Sequence, residues 1–192
     1  KTFISACALL NIEVSYIPEE NVSSYLACDI SYGKLEEMLK TEKPMGVYVN
    51  SVDYLGNLLD IQKLSAICHR YNTLLIVDNA HGAYLKFIDD GVCRHPLSLG
   101  ADLCCDSAHK TLPVLTGGAY LHISKNAPVF FKNNTKALMS LFASTSPSYL
   151  ILQSLDMAIC ILSSDYPKRL SAFVNKMQDM KSKLRFMGLE DI

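Results

Sequence analysis

Two apolar runs in the sequence each lead into a side chain that can do chemistry. The run Leu74–Val77 ends in Asp78, and the run Leu103–Asp106 leads through a short polar segment to Lys110. Short apolar runs of this kind predict buried strands. Ligands of an open parallel α/β sheet bind at the carboxyl ends of its strands. We therefore expect the acid and the amine to lie at the same rim of a sheet, as a site for a cofactor.

Lys110 and Asp78 have side chains suited to holding an aromatic carbonyl compound. A desolvated lysine, here followed by Thr-Leu-Pro, can form a Schiff base with a carbonyl. Asp78 ends an all-apolar strand, so its charge needs a partner. A protonated pyridine nitrogen is one such partner, since an aspartate keeps a pyridoxal ring cationic. A solvated loop lysine and an aspartate that caps a loop or helix are the simpler interpretations.

Small and polar residues surround this pair. Ala80 follows Asp78 by two positions, points to the same side of an extended backbone and leaves room for a flat ring. Ser107 can donate its hydroxyl to a phosphate oxygen, and His81 and His109 can bind phosphate, orient a carbonyl oxygen or move a proton. A core alanine, a turn serine and structural histidines are the alternatives. The other histidines are predicted to be surface or core residues: His69, His95 and His122.

The composition describes one sizeable globular domain. The chain has 192 residues, 49% of them apolar, and a net charge of −1. Without a basic block, nothing indicates a nucleic-acid partner. Its seven cysteines include no CxxC pair, which argues against a zinc or disulfide framework and favours the cytoplasm. We predict no metal site and, in the absence of a signal peptide or a spanning apolar run, no membrane association.

The hydrophobic periodicity alternates strands and helices along the chain. Strands are predicted at residues 12–17, 45–52, 74–77, 103–106 and 119–123, and helices at 3–10, 31–43, 61–71, 148–164 and 167–186. Loops are predicted at 19–30 and 110–116, and a short helix or irregular crossover at 89–99. The last strand has too little chain before it for a crossover helix, so we expect it to be antiparallel. Alternation of this kind predicts a mostly parallel α/β sheet with right-handed crossovers.

At this point two motifs resemble a known family. Asp-Asn-Ala-His-Gly-Ala-Tyr, from Asp78, and Gly-Ala-Asp-(x)4-Ser-Ala-His-Lys-Thr-Leu-Pro, from Gly100, are similar to the major domain of the pyridoxal-phosphate-dependent ornithine/lysine/arginine decarboxylases. Segments 49–56 and 144–156 resemble further parts of that domain, in the same order. These enzymes have the aspartate aminotransferase fold, so the resemblance implies a three-layer α/β/α sandwich. It also implies a partial major domain at 1–164 and the start of a linker helix, toward a missing C-terminal domain, at 165–192.

The resemblance implies a cofactor, pyridoxal 5'-phosphate, and seven residues that contact it: Ser51, Asp78, Ala80, His81, Ser107, His109 and Lys110. Lys110 would form the Schiff base and move protons, and His81 would lie close to the ring and the substrate as a second catalytic residue. Asp78 would pair with the ring nitrogen, while Ser107 and His109 would contact the phosphate side. Because the first residue is Lys rather than Met, we expect the sequence to be a piece of a longer chain.

The implied reaction is decarboxylation of a basic amino acid (arginine, lysine or ornithine) to its amine, in a homodimer or higher homo-oligomer. An aminotransferase or lyase of the same fold and an inactive fragment remain alternatives. A helicase-like NTPase is a more distant one, because Leu74–His81 superficially resembles a Walker B strand. That motif needs a glutamate where Asn79 stands, and no GxxxxGK[ST] loop occurs. The family commonly has an acidic residue at Asn79 and a histidine at Tyr84.

Overall fold

The computed structural model describes residues 2–20 and 26–188. A four-stranded sheet with the order β1-β2-β3-β4 lies at its centre. The strands are β1 (Gly46–Asn50), β2 (Leu74–Asp78), β3 (Leu103–Asp106) and β4 (Tyr120–Ile123). The first three strands are parallel and β4 is antiparallel to β3. The predicted α/β fold class, mostly parallel with one antiparallel strand, is therefore confirmed.

Helices connect and follow the strands. They are α1 (Thr2–Leu9), α2 (Tyr32–Thr41), α3 (Ile61–Arg70), α4 (Ala108–Thr111), α5 (Val129–Phe142), α6 (Tyr149–Leu162) and α7 (Tyr166–Phe186), with 3₁₀ turns at Ala83–Phe87 and Pro96–Leu99. Asp60 caps α3, because its Oδ1 accepts a hydrogen bond of 2.9 Å from the Lys63 amide. Pro167 lies in the first turn of α7, where its missing N–H costs nothing.

The helix α3 covers one face of the sheet together with α2. Helical spacing brings Ile61, Leu64 and Cys68 to one side of α3, and all three are buried. They belong to one core with Leu75 and Val77, the inward-facing residues of β2. Fully burying a side chain of this size contributes about 1.5–3 kcal/mol. This layer therefore holds β2, and with it Asp78, against a packed support.

The opposite face of the sheet meets α1. Side chains alternate along a strand, so Tyr48 of β1 points away from its buried neighbours Val47 and Val49. The ring of Phe3 in α1 stacks on the Tyr48 ring, with centroids 3.9 Å apart and planes within 9°. The helices α1 and α3 thus lie on opposite sides of β1 and β2 and form the outer layers of the sandwich.

A network of hydrogen bonds around Asp102 connects α3 to the start of β3. Asp102 Oδ2 accepts hydrogen bonds from the Leu75 amide (2.8 Å) and from His69 Nε2 (2.9 Å). Ser65 Oγ lies 3.3 Å from His69 Nδ1, so the three side chains have the composition of a hydrolytic triad. Ser65 is buried, however, and its hydroxyl donates to the Gly100 carbonyl. The arrangement is therefore a structural connection, since a nucleophile must be accessible.

The helix α6 is apolar nearly all round but packs through one narrow stripe. Only Ala158 and Leu162 of this helix are buried, and they join a small core with Ala83, Ala108 and Leu112. Its apolar sequence predicts a helix that is either buried or at an interface, and in this chain most of its apolar side chains face outward. None of the helices in the described ranges combines the length and the hydropathy that crossing a bilayer requires.

Three local predictions differ from the structure. Residues 12–17 form no strand, although β1 pairs only with β2 and leaves its other edge unpaired; Ile12 and Tyr16 are exposed. Lys110 lies in α4 and not in a loop. The helix α5 was missed because Asn133, Asn134 and Thr135 have low helix propensity. Of the predicted loop at 19–30, residues 21–25 lie outside the described residues.

Candidate active site

The carboxyl ends of β1, β2 and β3 bring most of the predicted residues to one rim. Asp78 is the last residue of β2 and lies opposite Asn50 of β1 and Cys105 of β3 in the parallel register. Ala80 and His81 lie two and three residues after Asp78, while the segment from Ser107 to Lys110 follows β3 within one turn. The rim expected from two apolar runs is therefore present.

The Asp78 carboxylate is half-buried and is oriented by one hydrogen bond on each oxygen. Oδ2 accepts from the Tyr48 hydroxyl at 2.7 Å, and Oδ1 accepts from the Ala80 amide at 3.1 Å. Burial raises the pKa of the Tyr48 hydroxyl, and the hydrogen bond to Asp78 raises it further. Each carboxylate oxygen can accept more than one hydrogen bond, so Asp78 keeps capacity for a ligand.

Lys110 contacts a histidine and not an acid. Its Nζ lies 3.1 Å from His81 Nε2, and within residues 2–20 and 26–188 it forms no ion pair with a carboxylate. The His81 ring in turn meets the edge of Tyr54, with centroids 5.0 Å apart. Among the described residues, the Lys110 amine therefore has an imidazole as its neighbour and no carboxylate.

The segment between β3 and β4 positions the two residues predicted to contact phosphate. Ser107 stands at the N-terminus of α4, but its hydroxyl makes no capping bond. His109 Nδ1 donates to the Gly118 carbonyl at 2.9 Å, which leaves Nε2 for another partner. A Cβ at Gly118 would stand 2.3 Å from Val114 Cγ1. Gly118 is thus needed for the close approach that orients His109.

Ser51 lies at the same rim but its side chain is already engaged. It is buried, and its Oγ accepts a hydrogen bond of 3.3 Å from the Leu59 amide. Its own amide donates to the Asp78 carbonyl at 3.0 Å. Ser51 therefore ties β1 to β2 in this structure, and its predicted contact with a cofactor stays a prediction.

The sequence motifs did not predict a buried carboxylate that lies beside this rim, Asp106. Asp106 Oδ2 accepts from His95 Nε2 at 3.1 Å and from His122 Nε2 at 2.9 Å, while Oδ1 accepts from Asn79 Nδ2 at 2.7 Å. Burial raises the pKa of Asp106, but the hydrogen bonds from these three side chains outweigh it and hold the pKa well below its usual range. His95 is buried and His122 is partly buried, which agrees with their prediction as core or surface residues, and Asn79 connects them through Asp106 to the Asp78 loop.

The three ligand atoms of His95, Asp106 and His122 lie within 4.8 Å of one another, close enough to suit a metal ion. The tautomer of His95 argues against a metal ion at this position. The Leu97 amide donates to His95 Nδ1 at 3.3 Å, so Nε2 carries the proton and donates to Asp106. A histidine binds a metal through an unprotonated nitrogen. The cluster is therefore better described as a hydrogen-bond network.

A cavity of about 540 Å³ opens against this network. Its polar residues include Asp106, His122 and Lys86, and its walls include Phe87 and Leu162. Neither Asp78 nor Lys110 lines it. The cavity and the rim are consequently separate features that share only the segment around Asp106.

The fold is that of the pyridoxal-phosphate-dependent enzymes related to aspartate aminotransferase. The structure matches Bna3p, a putative kynurenine aminotransferase from Saccharomyces cerevisiae, with a TM-score of 0.66, 18% identity and coverage of 97% of this chain and 46% of that one. It matches a PLP-bound putative aminotransferase from Clostridium difficile 630 with a TM-score of 0.63, 14% identity and coverage of 95% and 47%. At these identities the likeness defines the fold alone.

The chain belongs to the Orn/Lys/Arg decarboxylase family, whose major-domain model matches residues 21–191. It is 29% identical to the uncharacterized protein YaaO of Bacillus subtilis over 160 residues, covering 82% of this chain and 33% of the relative. It is 31% identical to an arginine decarboxylase of the same species over 134 residues, covering 67% and 27%. The chain thus spans about a third of the curated relatives or less. Enzymes of this family depend on pyridoxal 5'-phosphate.

Proposed function

We propose that this chain forms the lysine-bearing part of an enzyme that decarboxylates a basic amino acid with pyridoxal 5'-phosphate. The observation that carries the proposal is the placement of Asp78 and the Lys110–His81 pair at the ends of adjacent strands, within the residues matched to the family. Arginine is the first substrate to test. Three further relatives, two from Bacillus species and one from Halalkalibacterium halodurans, are also named arginine decarboxylase.

The side chains at the rim suit the chemistry of this cofactor. Its ring nitrogen needs an acid, and the Asp78 carboxylate has one hydrogen bond on each oxygen and room for another. Its aldehyde needs an amine, and Lys110 has no carboxylate partner among the described residues. Its phosphate needs donors, and the Ser107 hydroxyl makes no capping bond to α4. The donor set therefore fits the group.

Each residue then has a defined task. When bound, the cofactor supplies an electron sink for the pair left by departing CO2. Lys110 would hold it covalently and return a proton to the substrate carbon, and His81 would exchange that proton through its Nε2. Asp78 would retain the positive charge on the ring nitrogen. Ser107 and His109 would orient the phosphate, and Ala80 would leave space for the ring.

The complete protein is expected to act as a homodimer or higher homo-oligomer in the cytoplasm. The oligomer is expected from the family resemblance, in which sites of this fold lie between subunits, and the cytoplasm from the scattered cysteines. The segment 165–192, proposed as the start of a linker helix, contains the whole of α7 and would lead toward a further domain. The activity, substrate and assembly of the whole protein remain parts of this proposal.

The test uses the full-length protein. We expect borohydride reduction in the presence of pyridoxal 5'-phosphate to add the cofactor's mass to the peptide that contains Lys110, as read by mass spectrometry. Incubation with arginine, lysine and ornithine should release CO2 and the matching amine from at least one of them. Lys110→Ala should abolish both signals, whereas Lys176→Ala, which removes an exposed lysine of α7, should leave them intact. Label that persists in Lys110→Ala would contradict the assignment.

An aminotransferase or lyase is the alternative function, because the fold shared with the two putative aminotransferases does not specify one reaction. The same incubation separates these reactions by their products. An α-keto acid formed only when a second keto acid is supplied would indicate transamination, and loss of a side-chain group would indicate a lyase. Either product without CO2 would overturn decarboxylation while leaving Lys110 as the cofactor's attachment point.

A further inference from the structure

Tyr48 makes a contact that neither the sequence motifs nor the proposed function assigns. Its hydroxyl donates a 2.7 Å hydrogen bond to Asp78 Oδ2. In the parallel register Tyr48 pairs with Ile76, so it lies one side-chain repeat before Asp78 on the same face of the sheet. Long side chains on neighbouring strands reach such diagonal positions. The contact follows from the register and requires no special loop.

Both partners of the Tyr48–Asp78 hydrogen bond are restrained by further contacts, the tyrosine through its ring and the carboxylate through its other oxygen. It is half-buried, and Phe3 of α1 stacks on it with centroids 3.9 Å apart. The other oxygen of Asp78 accepts from the Ala80 amide at 3.1 Å. The carboxylate therefore has one donor on each oxygen, and these two donors determine its plane. A side chain with only one of them could rotate about its last bond.

The Tyr48 hydroxyl remains protonated and can therefore remain a hydrogen-bond donor to Asp78. Burial raises its pKa, and the hydrogen bond to Asp78 and the charge of that carboxylate raise it further. It thus keeps its proton throughout the neutral range. A hydrogen bond to a charged group is stronger than one between neutral groups, and donation to the charged form of an acid favours that form.

We propose that Tyr48 is a positioning residue that orients the Asp78 carboxylate toward the cofactor's ring nitrogen and keeps the shared proton on that nitrogen. The inference rests on the proposed function, since it deepens the role given there to Asp78. Tyr48 touches neither substrate nor cofactor in this scheme. It acts through the carboxylate alone, and Phe3 in turn restrains Tyr48.

The test compares two Tyr→Phe variants of the full-length protein. Tyr48→Phe removes one hydroxyl and keeps the ring that stacks on Phe3. Tyr71→Phe is the matched control, because its hydroxyl donates to Glu36 on the α2–α3 side of the sheet. Each protein is reconstituted with pyridoxal 5'-phosphate labelled with ¹⁵N in the ring. The ¹⁵N chemical shift reports the protonation of the ring nitrogen and does not depend on turnover.

In Tyr48→Phe we expect the ¹⁵N signal to move toward that of a neutral pyridine, with kcat about ten- to a hundredfold lower and KM nearly unchanged, as loss of one hydrogen bond to a charged group predicts. Phe3→Leu should give a smaller shift of the same sign. An unchanged ¹⁵N signal in Tyr48→Phe, or an equal change in Tyr71→Phe, would overturn the role of Tyr48.

Borohydride labelling of Lys110 separates this outcome from failure of the proposed function. We expect both Tyr→Phe variants to be labelled at saturating cofactor. If the unchanged protein itself gives no Lys110 adduct, the proposed function fails and the role of Tyr48 fails with it. If the adduct forms but the ring nitrogen does not respond to Tyr48→Phe, only the positioning role is lost.

Discussion

Asp78 and Asp106 end adjacent parallel strands, yet their surroundings differ. Cys105 lies opposite Asp78 in the register, so Asp106, one residue further, points to the other face of the sheet. Asp78 is half-buried and has a phenol and an amide as donors. Asp106 is 4% exposed and receives hydrogen bonds from two histidines, Asn79 and the Cys104 thiol. One carboxylate keeps capacity for a ligand, and the other is saturated by the protein.

The comparison shows that position at a strand end does not by itself make an acid functional. Asp106 lies nearer to Lys110 in sequence than Asp78 does, but its lone pairs are already used. The two acids are connected, because Asn79 joins the backbone of one to the side chain of the other. Asp106 therefore acts on the rim through the geometry of the Asp78 loop. Mutations can separate these two roles by comparing effects on stability with effects on activity.

The largest expected effect is on stability, in Asp106→Ala. The change leaves the donors of His95, His122 and Asn79 without their shared acceptor. We expect the free energy of unfolding, measured by urea denaturation of the full-length protein, to fall by about 3–5 kcal/mol, the range for removing one partner of a buried charged network. A loss below 1 kcal/mol, with unchanged m-value, would show that the network is not structural.

In contrast to Asp106→Ala, Asp78→Asn should lower activity strongly and stability little. The amide keeps the size of the side chain but removes the charge that would balance the ring nitrogen. We expect kcat to fall by a factor of about 10²–10³, the range for removing one preorganised electrostatic group, while the free energy of unfolding changes by less than about 1 kcal/mol. If Asp78→Asn destabilises the protein as much as Asp106→Ala, the distinction between the two acids is wrong.

Gly82→Ala tests the connection between the two regions. A Cβ at Gly82 would stand 2.1 Å from Asn79 Oδ1 and 2.8 Å from Leu85 Cδ1. Overpacking of this kind costs about 1–3 kcal/mol, and here it would also displace Asn79 from Asp106. Gly33→Ala in α2 is the control, since nothing lies within 4 Å of its Cβ position. Unfolding curves of the two variants that coincide would refute the close approach at Gly82.

The smallest expected effect is on how the free energy of unfolding changes as the pH falls. The pKa of Asp106 is lowered in the folded state, so the unfolded chain binds its proton first as the pH falls. The stabilisation is complete above the unfolded pKa of about 4 and is lost as the pH drops through the folded value, at about 1.4 kcal/mol per pKa unit. Asp106→Asn should flatten this part of the stability profile between about pH 5 and pH 2. An unaltered slope would assign the acid sensitivity to other carboxylates.

The rim was predictable because its signals are local. Asp78 directly follows an apolar strand, and Lys110 follows another by four residues, so each stretch contained its own evidence. The Asp106 network was not recognised because His95 and His122 approach from a crossover and from an antiparallel strand. One signal was available: Asp106 alternates with the buried Cys104, and a buried carboxylate requires donors. The roles of the rim residues stay predictions, as does the division at residue 164.

The fold shows the same division between local and non-local information. The strands β2 and β3 and the amphipathic helix α3 were predicted because periodicity and caps reside in their own residues. Residues 12–17 have an alternating pattern but pair with no described strand, and strand pairing depends on the rest of the sheet. The outward-facing apolar side chains of α6 likewise depend on what surrounds the helix and not on its own composition.

The antiparallel return of β4 has a consequence for the order of assembly during folding. It pairs with β3 across a shorter stretch of chain than separates β1 from β2 or β2 from β3. Closing a shorter loop loses less chain entropy, and local pairings form faster than distant ones. We expect the amides of β3 and β4 to become protected before those of β1 in pulse-labelling hydrogen exchange. The lysine-bearing turn would then be the first part of the rim to take shape, with the acid-bearing strand added to it.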